Sequence, residues 1–314
     1  MMASLVFDTG LVLLVMAVAG WAILARDPFA AVVGFVVYGL LLALVWVRLA
    51  AVDVALTEAA IGSGLTGTLL LGAAARLRGD EAPAAERPGP LLRFAATLLS
   101  ACVAAGLAGA ILRLPENAPT LAPAAAQNAA ATGLGNPVTN VLMAFRAMDT
   151  LLEKVVLLLA LVGVWSLASD RFWGGRPGPR YPVEPHGALS LLARLLPPVG
   201  IVVGIHVLWA GADRPGGAFQ AGTILAAMWV LVMIAGLSDA PQVGQRWLRL
   251  ALVAGPAVFL VVGLGGLVLG GAFLAYPMAY AKPLILAVEF AMTLTIGATL
   301  GLLLAGPPER RSGA

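Results

Sequence analysis

DVALTEAAIGSGLTGTLLLGAAARL, residues 53–77, is the stretch that decides the fold. As a helix rising 1.5 Å per residue it is long enough to cross the ~30 Å hydrocarbon core of a bilayer. Yet it carries Asp53 and Glu58. A charge at the bilayer centre costs about 3 kcal/mol or more, so such a carboxylate titrates, pairs with a cation or faces a wet cavity. Asp53 and Glu58 diverge by ~140° and by ~7.5 Å along the axis, so they do not share a face. Glu58 either lines a polar cavity or hydrogen-bonds a neighbouring helix. Two further apolar helices carry Glu153 and Glu289. Three intramembrane glutamates in a chain otherwise almost free of intramembrane charge point to an ion or proton path.

Working outward, Gly62-Ser-Gly64-Leu-Thr-Gly67 matches G-x-G-x-x-G in letters. The dinucleotide fingerprint needs a preceding strand and an aqueous turn, and this match lies inside an apolar span. Its small residues instead allow close helix approach or a local helical bulge beside a polar path.

Composition agrees with a membrane protein. The 314 residues are 61% hydrophobic and 11% charged, with mean hydropathy +0.96, where a soluble domain carries about 25% charge. The formal charge of +3 forms no basic stripe interleaved with aromatics, so nucleic acid is not an expected partner. The single cysteine, Cys102, can form no intrachain disulfide and cannot hold an iron–sulfur cluster. Two histidines, His186 and His206, make a histidine-ligated zinc or haem site improbable. No cofactor and no metal site is expected. Residues 1–4 lack the positive start of a cleavable leader, so the first apolar run reads as a retained helix.

The expected fold is an all-α integral membrane protein with nine spans. They fall at about 5–25, 28–47, 53–77, 91–113, 149–168, 192–210, 217–237, 247–271 and 283–305. Loops are expected at 79–90, 115–137 and 170–188, the first charged, the second rich in Ala and Pro, the third in Arg, Pro and Gly. An outside N-terminus would put thirteen cations on the cytoplasmic side and six opposite, which predicts N-out, C-in.

Other residues could carry chemistry. Glu153 and Lys154 are adjacent and diverge by ~100°, so each can face a different neighbour. Lys282 and Glu289 are seven apart on one helical face, ~10.5 Å along the axis. Glu289 reads equally as a relay group or as the partner of a polar group elsewhere. His206, in IVVGIHVLWAG, reads either as a packed side chain or as a proton relay. Asp213 to Gly222 forms a tight turn, and Gly266 with Gly270 makes a GxxxG suited to helix packing.

Three stretches together resemble a known family. AAVDVALTEAAIGSGLTGTLLL (50–71) resembles the three-helix segment near the C-terminus of the large Mrp antiporter subunit, which is a separate small protein, MbhD, in related membrane-bound hydrogenases. NPVTNVLMAFRAMDTLLEKVVLLLALVGVWSL (136–167) resembles the following, MbhE-like segment. Residues 190–305, with RPGGAFQAGTILAA, resemble the four-helix MnhB/MrpB subunit, whose usual turn is closer to PGGGFQAG; Ala218 replaces a Gly.

The resemblance implies three parts, 1–78, 79–188 and 189–314, with 3 + 2 + 4 helices. It implies a role in ion or proton movement for Glu58 and Glu153, and less for Glu289, Lys282 and His206; Lys154 and Asp53 complete the candidate ion or proton path. The implied partners are NuoL-like antiporter subunits and small membrane subunits in a bacterial inner membrane, with Na⁺ and H⁺ as the transported ions. No cofactor is implied. The same module in a redox-driven complex of the complex I superfamily, or a scaffold whose glutamates pair helices, are the competing readings.

Overall fold

The computed structural model describes residues 2–79, 89–115 and 119–310. The expected charged loop at 79–90 therefore lies almost wholly outside the described residues, as do Arg87, Arg311 and part of the 115–137 loop. The protein is helical, with α1 (Met2–Leu24), α2 (Pro28–Arg48), α3 (Val52–Thr57), α4 (Thr66–Gly79), α5 (Pro90–Leu112) and α6 (Ala122–Asn128). There follow α7 (Pro137–Asn140), α8 (Ala147–Trp165), α9 (Ala188–Ala210), α10 (Ala218–Ile234), α11 (Arg246–Leu269) and α12 (Ala281–Ala305).

Local chemistry sets several of these starts. Asp27 caps α2 by accepting from the Ala30 N–H at 3.1 Å, and Pro28 follows with a φ suited to the first helical turn. Asn136 and Pro137 repeat the device at α7, with Asn136 accepting from Val138 N–H at 2.9 Å. Between α3 and α4 the chain stays helical but widens into a π-helix over Glu58–Leu65, where glycines supply the slack. A second π segment, Val141–Phe145, joins α7 to α8, and the Thr150 hydroxyl ties back to Leu142 O at 2.6 Å.

Seven helices among the described residues are long and apolar enough to cross a membrane, and the protein is a multi-pass membrane protein. The fifth and seventh expected spans correspond to α8 and α10. Three charges, Asp149, Glu153 and Lys154, dilute α8, and α10 has only 17 residues. Two loops are more ordered than expected. The 115–137 stretch contains α6 and a 3-10 turn, Ala129–Thr132. The 170–188 stretch pairs Arg176–Pro177 (β1) with Pro308–Arg310 (β2), so the fold is all-α but for one short antiparallel pair.

Helix α12 is the axis of the C-terminal half, packed against α8, α9, α10 and α11. Ile285, Val288, Met292, Ile296 and Leu300 on it are buried. Small residues permit the close approach: a Cβ at Gly222 of α10 would lie 2.7 Å from Ile296, and one at Gly301 would lie 2.6 Å from Trp229. Pro256 interrupts α11, and a hydroxyl from α12 enters the break. Thr295 donates to Ala251 O at 2.8 Å and accepts from Gly255 N–H at 2.9 Å.

The N-terminal half is looser: α2 packs on α1 and on the α3–α4 helix, which in turn touches α10. Gly266 and Gly270 do not join two helices as expected. They receive the backbone of the following loop, with Ala275 N at 2.8 Å from a Cβ built on Gly266.

Candidate functional site

The α9–α10 turn is where α3, the α7–α8 region and α12 meet. Gly216 and Gly217 adopt φ of +147° and +120°, which L side chains avoid. From the N-terminal part, Asp53 in the first turn of α3 accepts the Gly216 N–H at 2.8 Å. From the middle part, Asn136 donates to Gly211 O at 3.2 Å and to Arg214 O at 2.9 Å, and Thr139 donates to Gly211 O at 2.7 Å. From α12, Lys282 pairs with Asp213 at 2.8 Å, and Glu289 accepts the Ala218 N–H that opens α10. A helix N-terminus suits a carboxylate because its first N–H groups are free and its dipole is positive there. Gly217 is required beside it, since a Cβ would lie 3.1 Å from Glu289 Oε1.

Beneath this turn lies a cavity of about 420 Å³ walled by α3, the α7–α8 region, the start of α10 and α12. It brings together four of the sequence candidates: Asp53, Glu153, Lys154 and Glu289. Thr57, Thr139, Thr150 and Gln220 add polar atoms to walls otherwise made of Val54, Leu142, Met143, Phe219 and Met292. Asp53, Lys154 and Glu289 are 8%, 5% and 4% exposed. Glu289 Oε2 is buried with no hydrogen-bond partner among the described residues. Lys154 Nζ lies 5.0 Å over the Phe219 ring and 3.8 Å from Glu153, whose side chain is 60% exposed. Thus Lys154 is the buried member of the Glu153–Lys154 pair. The chamber can hold water or a small cation between one carboxylate with a spare oxygen and one ammonium with a distant partner.

The remaining candidates fall elsewhere. Glu58 begins the π-helix and is half-buried. Its carboxylate lies over Gly62 of its own helix, so that a Cβ there would clash with Oε1, and it does not line the cavity. This follows from its angular offset from Asp53. Lys282 is occupied by Asp213 at the outer rim of the turn. The Lys282 ammonium, then the Gly135 N–H, hold the Asp213 carboxyl below the usual carboxylate range. His206 is exposed on α9, outside the cavity, so a relay through this chamber does not include it. The cause is helical phase: Gly204 and Leu208 take the inward face of α9, and His206 stands between them.

Sequence reasoning missed Asn136, Thr139 and Gln220. Gln220 donates weakly to Thr57 Oγ1 at 3.4 Å and to Asp53 O at 3.5 Å. The signal was present as polar residues crowded into NPVTN and GGAFQ at the edges of apolar runs. Tyr276 is a further neighbour: burial, with a lesser repulsion from Glu289, pushes its hydroxyl up to about 12.

Fold and cavity define a multi-pass membrane protein with a charged cavity between its helices. Residues 13–79 match the family model of MbhD, a component of MBH. Residues 188–306 match MnhB, "Domain related to MnhB subunit of Na+/H+ antiporter". The fold is similar to a chain in the structure of the Mrp complex from Dietzia sp. DQ12-45-1b, with TM-score 0.72 and 24% identity over 97% of this chain and 35% of that one. It is also similar to a chain of the membrane-bound sulfane sulfur reductase, an archaeal respiratory membrane complex, with TM-score 0.53 and 21% identity over 68% of this chain and 98% of that one. A curated relative, "Uncharacterized protein MJ1307" of Methanocaldococcus jannaschii, is 27% identical over 154 residues, 44% of this chain. The chain spans 59% of that relative's length. The chain thus joins an MbhD-like part to a part that matches a domain related to MnhB.

Proposed function

We propose that this chain forms part of the ion path of a multisubunit Na⁺/H⁺ antiporter in a bacterial inner membrane, working beside NuoL-like and small membrane subunits. It is a transporter component rather than a catalytic enzyme. In this reading nine helices span the bilayer, α8 and α10 included, with the N-terminus outside, and residues 79–188 act as an MbhE-like part. The observation that carries the reading is the cavity in which Asp53, Glu153, Lys154 and Glu289 converge from three parts of the chain.

The chemistry follows from the two buried groups. Glu289 is anchored by one oxygen to Ala218 N–H, and its other oxygen is free to take a proton or to meet a cation. Lys154 disfavours a second positive charge in the chamber, so cation and proton would occupy it alternately. Glu153 at the exposed edge would receive ions from outside. Glu58, at the π-helix, would serve the route towards the opposite face.

Glu289→Gln keeps an oxygen for Ala218 N–H but cannot carry a proton. In vesicles holding the complex it should abolish Na⁺-driven alkalinisation of the lumen while native gels show full assembly. Wild-type exchange in that variant would sink the assignment. The likeness to the sulfane sulfur reductase chain supports a second reading, an arm of a redox-driven pump. Recovery of metal-containing peripheral subunits with the native complex, by mass spectrometry, would favour it.

A further inference from the structure

A second cavity, of about 530 Å³, lies at the other end of the same helices. One wall is α4, through Thr68, Leu69, Gly72, Ala73 and Ala75. The other is α10 and α12, through Val230, Met233, Ile234, Leu303 and Leu304. The cleft is thus a seam between the MbhD-like and MnhB-related parts, apolar along its length.

Its end is closed by β1 and β2, and there the chemistry changes. Arg310 donates to Asp239 at 2.9 Å and to Gly178 O at 3.0 Å. Arg176 reaches Asp239 at 4.0 Å and donates to Ala240 O at 3.2 Å. Arg180 is exposed, acts on Asp239 through space, and makes no hydrogen bond among the described residues. Three guanidinium groups therefore surround one carboxylate, and the Arg310 bond holds that carboxyl below its usual range. Three cations face one carboxylate in this cluster; Arg310 and Asp239 line the end of the apolar slot, and Arg180 lines the adjoining pocket that shares Tyr181, Ser238 and Asp239 with it. Gly178 is essential to the shape, with φ +70° and Ala305 O only 2.6 Å from where a Cβ would stand.

We propose that this cleft binds one anionic phospholipid, with its phosphate at the Arg176–Arg180–Arg310 cluster and an acyl chain along the seam between α4 and α10. Charge complementarity selects the headgroup: a zwitterionic lipid gains less from a cationic cluster than an anionic one. The cleft's apolar walls select a lipid over a soluble anion. Its position at the ends of membrane-crossing helices places the phosphate at headgroup depth. The bound lipid would fill a seam that the protein leaves open. This inference stands independently of the antiport reading.

The test uses the full chain in mild detergent, stripped of native lipid. Native mass spectrometry is run with added phosphatidylglycerol, phosphatidylcholine or inorganic phosphate. Phosphatidylglycerol should be retained at one copy and phosphatidylcholine should not. Arg180→Gln should weaken retention about 5-fold, because a juxtamembrane cation contributes about 1 kcal/mol towards an anionic lipid. Gly72→Leu should also displace the lipid with the fold intact, since a Cβ on Gly72 meets nothing within 4 Å. Thermal melting curves unchanged in lipid-free detergent would confirm that both variants are folded. Equal retention of the two lipids would overturn the proposal, as would wild-type retention in both variants. A stabilisation by inorganic phosphate equal to that by phosphatidylglycerol would assign the cluster to a soluble anion and overturn it too.

Discussion

The two ends of the α10–α12 pair treat charge in opposite ways. At the α9–α10 turn, Asp53, Lys154 and Glu289 are drawn inside and nearly stripped of solvent. At the β1–β2 end, Asp239, Arg176 and Arg310 remain partly exposed and pair side by side, with positive charge in excess. The difference lies in what the backbone offers. The turn presents free N–H groups from Gly216 and Ala218, so a carboxylate can be buried against peptide dipoles rather than against a cation. The opposite end presents carbonyls, of Gly178 and Ala240, which receive guanidinium groups. Burial at the first end leaves one carboxylate oxygen without a hydrogen-bond partner among the described residues and one ammonium 3.8 Å from its partner. Pairing at the second leaves a partly exposed cluster with more cations than carboxylates.

The comparison breaks most severely at Gly216. Gly216→Val forces a β-branched residue to φ +147° and puts a Cβ 2.5 Å from Val207 O. We expect a loss of more than ~3 kcal/mol, read as failure to recover a monodisperse chain in detergent. Asp53→Ala comes next. It leaves the Gly216 N–H buried without its acceptor, a cost of about 1–3 kcal/mol, seen as a lowered melting temperature. Asp53→Asn should recover most of the loss, because an amide oxygen still accepts. If both variants melt alike, Asp53 does not hold the turn.

Thr295→Val tests the α11–α12 clip. It removes one donor and one acceptor at the Pro256 break and should cost about 1–2 kcal/mol without altering ion specificity. The smallest effect belongs to the rim pair of Asp213 and Lys282, which is open to solvent. Because the folded state holds the Asp213 carboxyl low, its contribution is complete above pH ~4 and is lost as pH falls through the lower folded value. Lys282→Met should flatten that acid limb of the stability profile and leave the profile near neutrality almost unchanged. An acid limb identical to wild type would remove Lys282 as the cause.

Much of this was readable from the chain. The apolar runs mark the long helices because hydrocarbon demands length and apolarity. Helical phase separated Asp53 from Glu58, and only Asp53 reaches the chamber. Other parts were not readable. Glu153 and Glu289 look alike in sequence, each a glutamate near the start of an apolar run, yet one is exposed and the other buried. Helix α5 is as apolar as α12 and has no buried residue, whereas α12 is the centre of its bundle. Hydropathy reports the solvent a helix tolerates, not the neighbour it meets. His206 could not be placed for the same reason, since its phase on α9 has meaning only once the inward face is known.

Sequence alone determined that the chain enters a membrane, where its helices start, and which side chains are costly enough there to need a reason. Those are consequences of local periodicity, caps and transfer free energies, all set along the chain. Only the tertiary structure decided that Asp53, Lys154 and Glu289 share one chamber, that Gly216 and Gly217 bring donors to it, and that Lys282 and His206 do not reach it. Contacts between residues more than 60 positions apart depend on how helices cross, and close crossing is set by the fit of glycine against a neighbour's side chain. No property of a single segment encodes that fit.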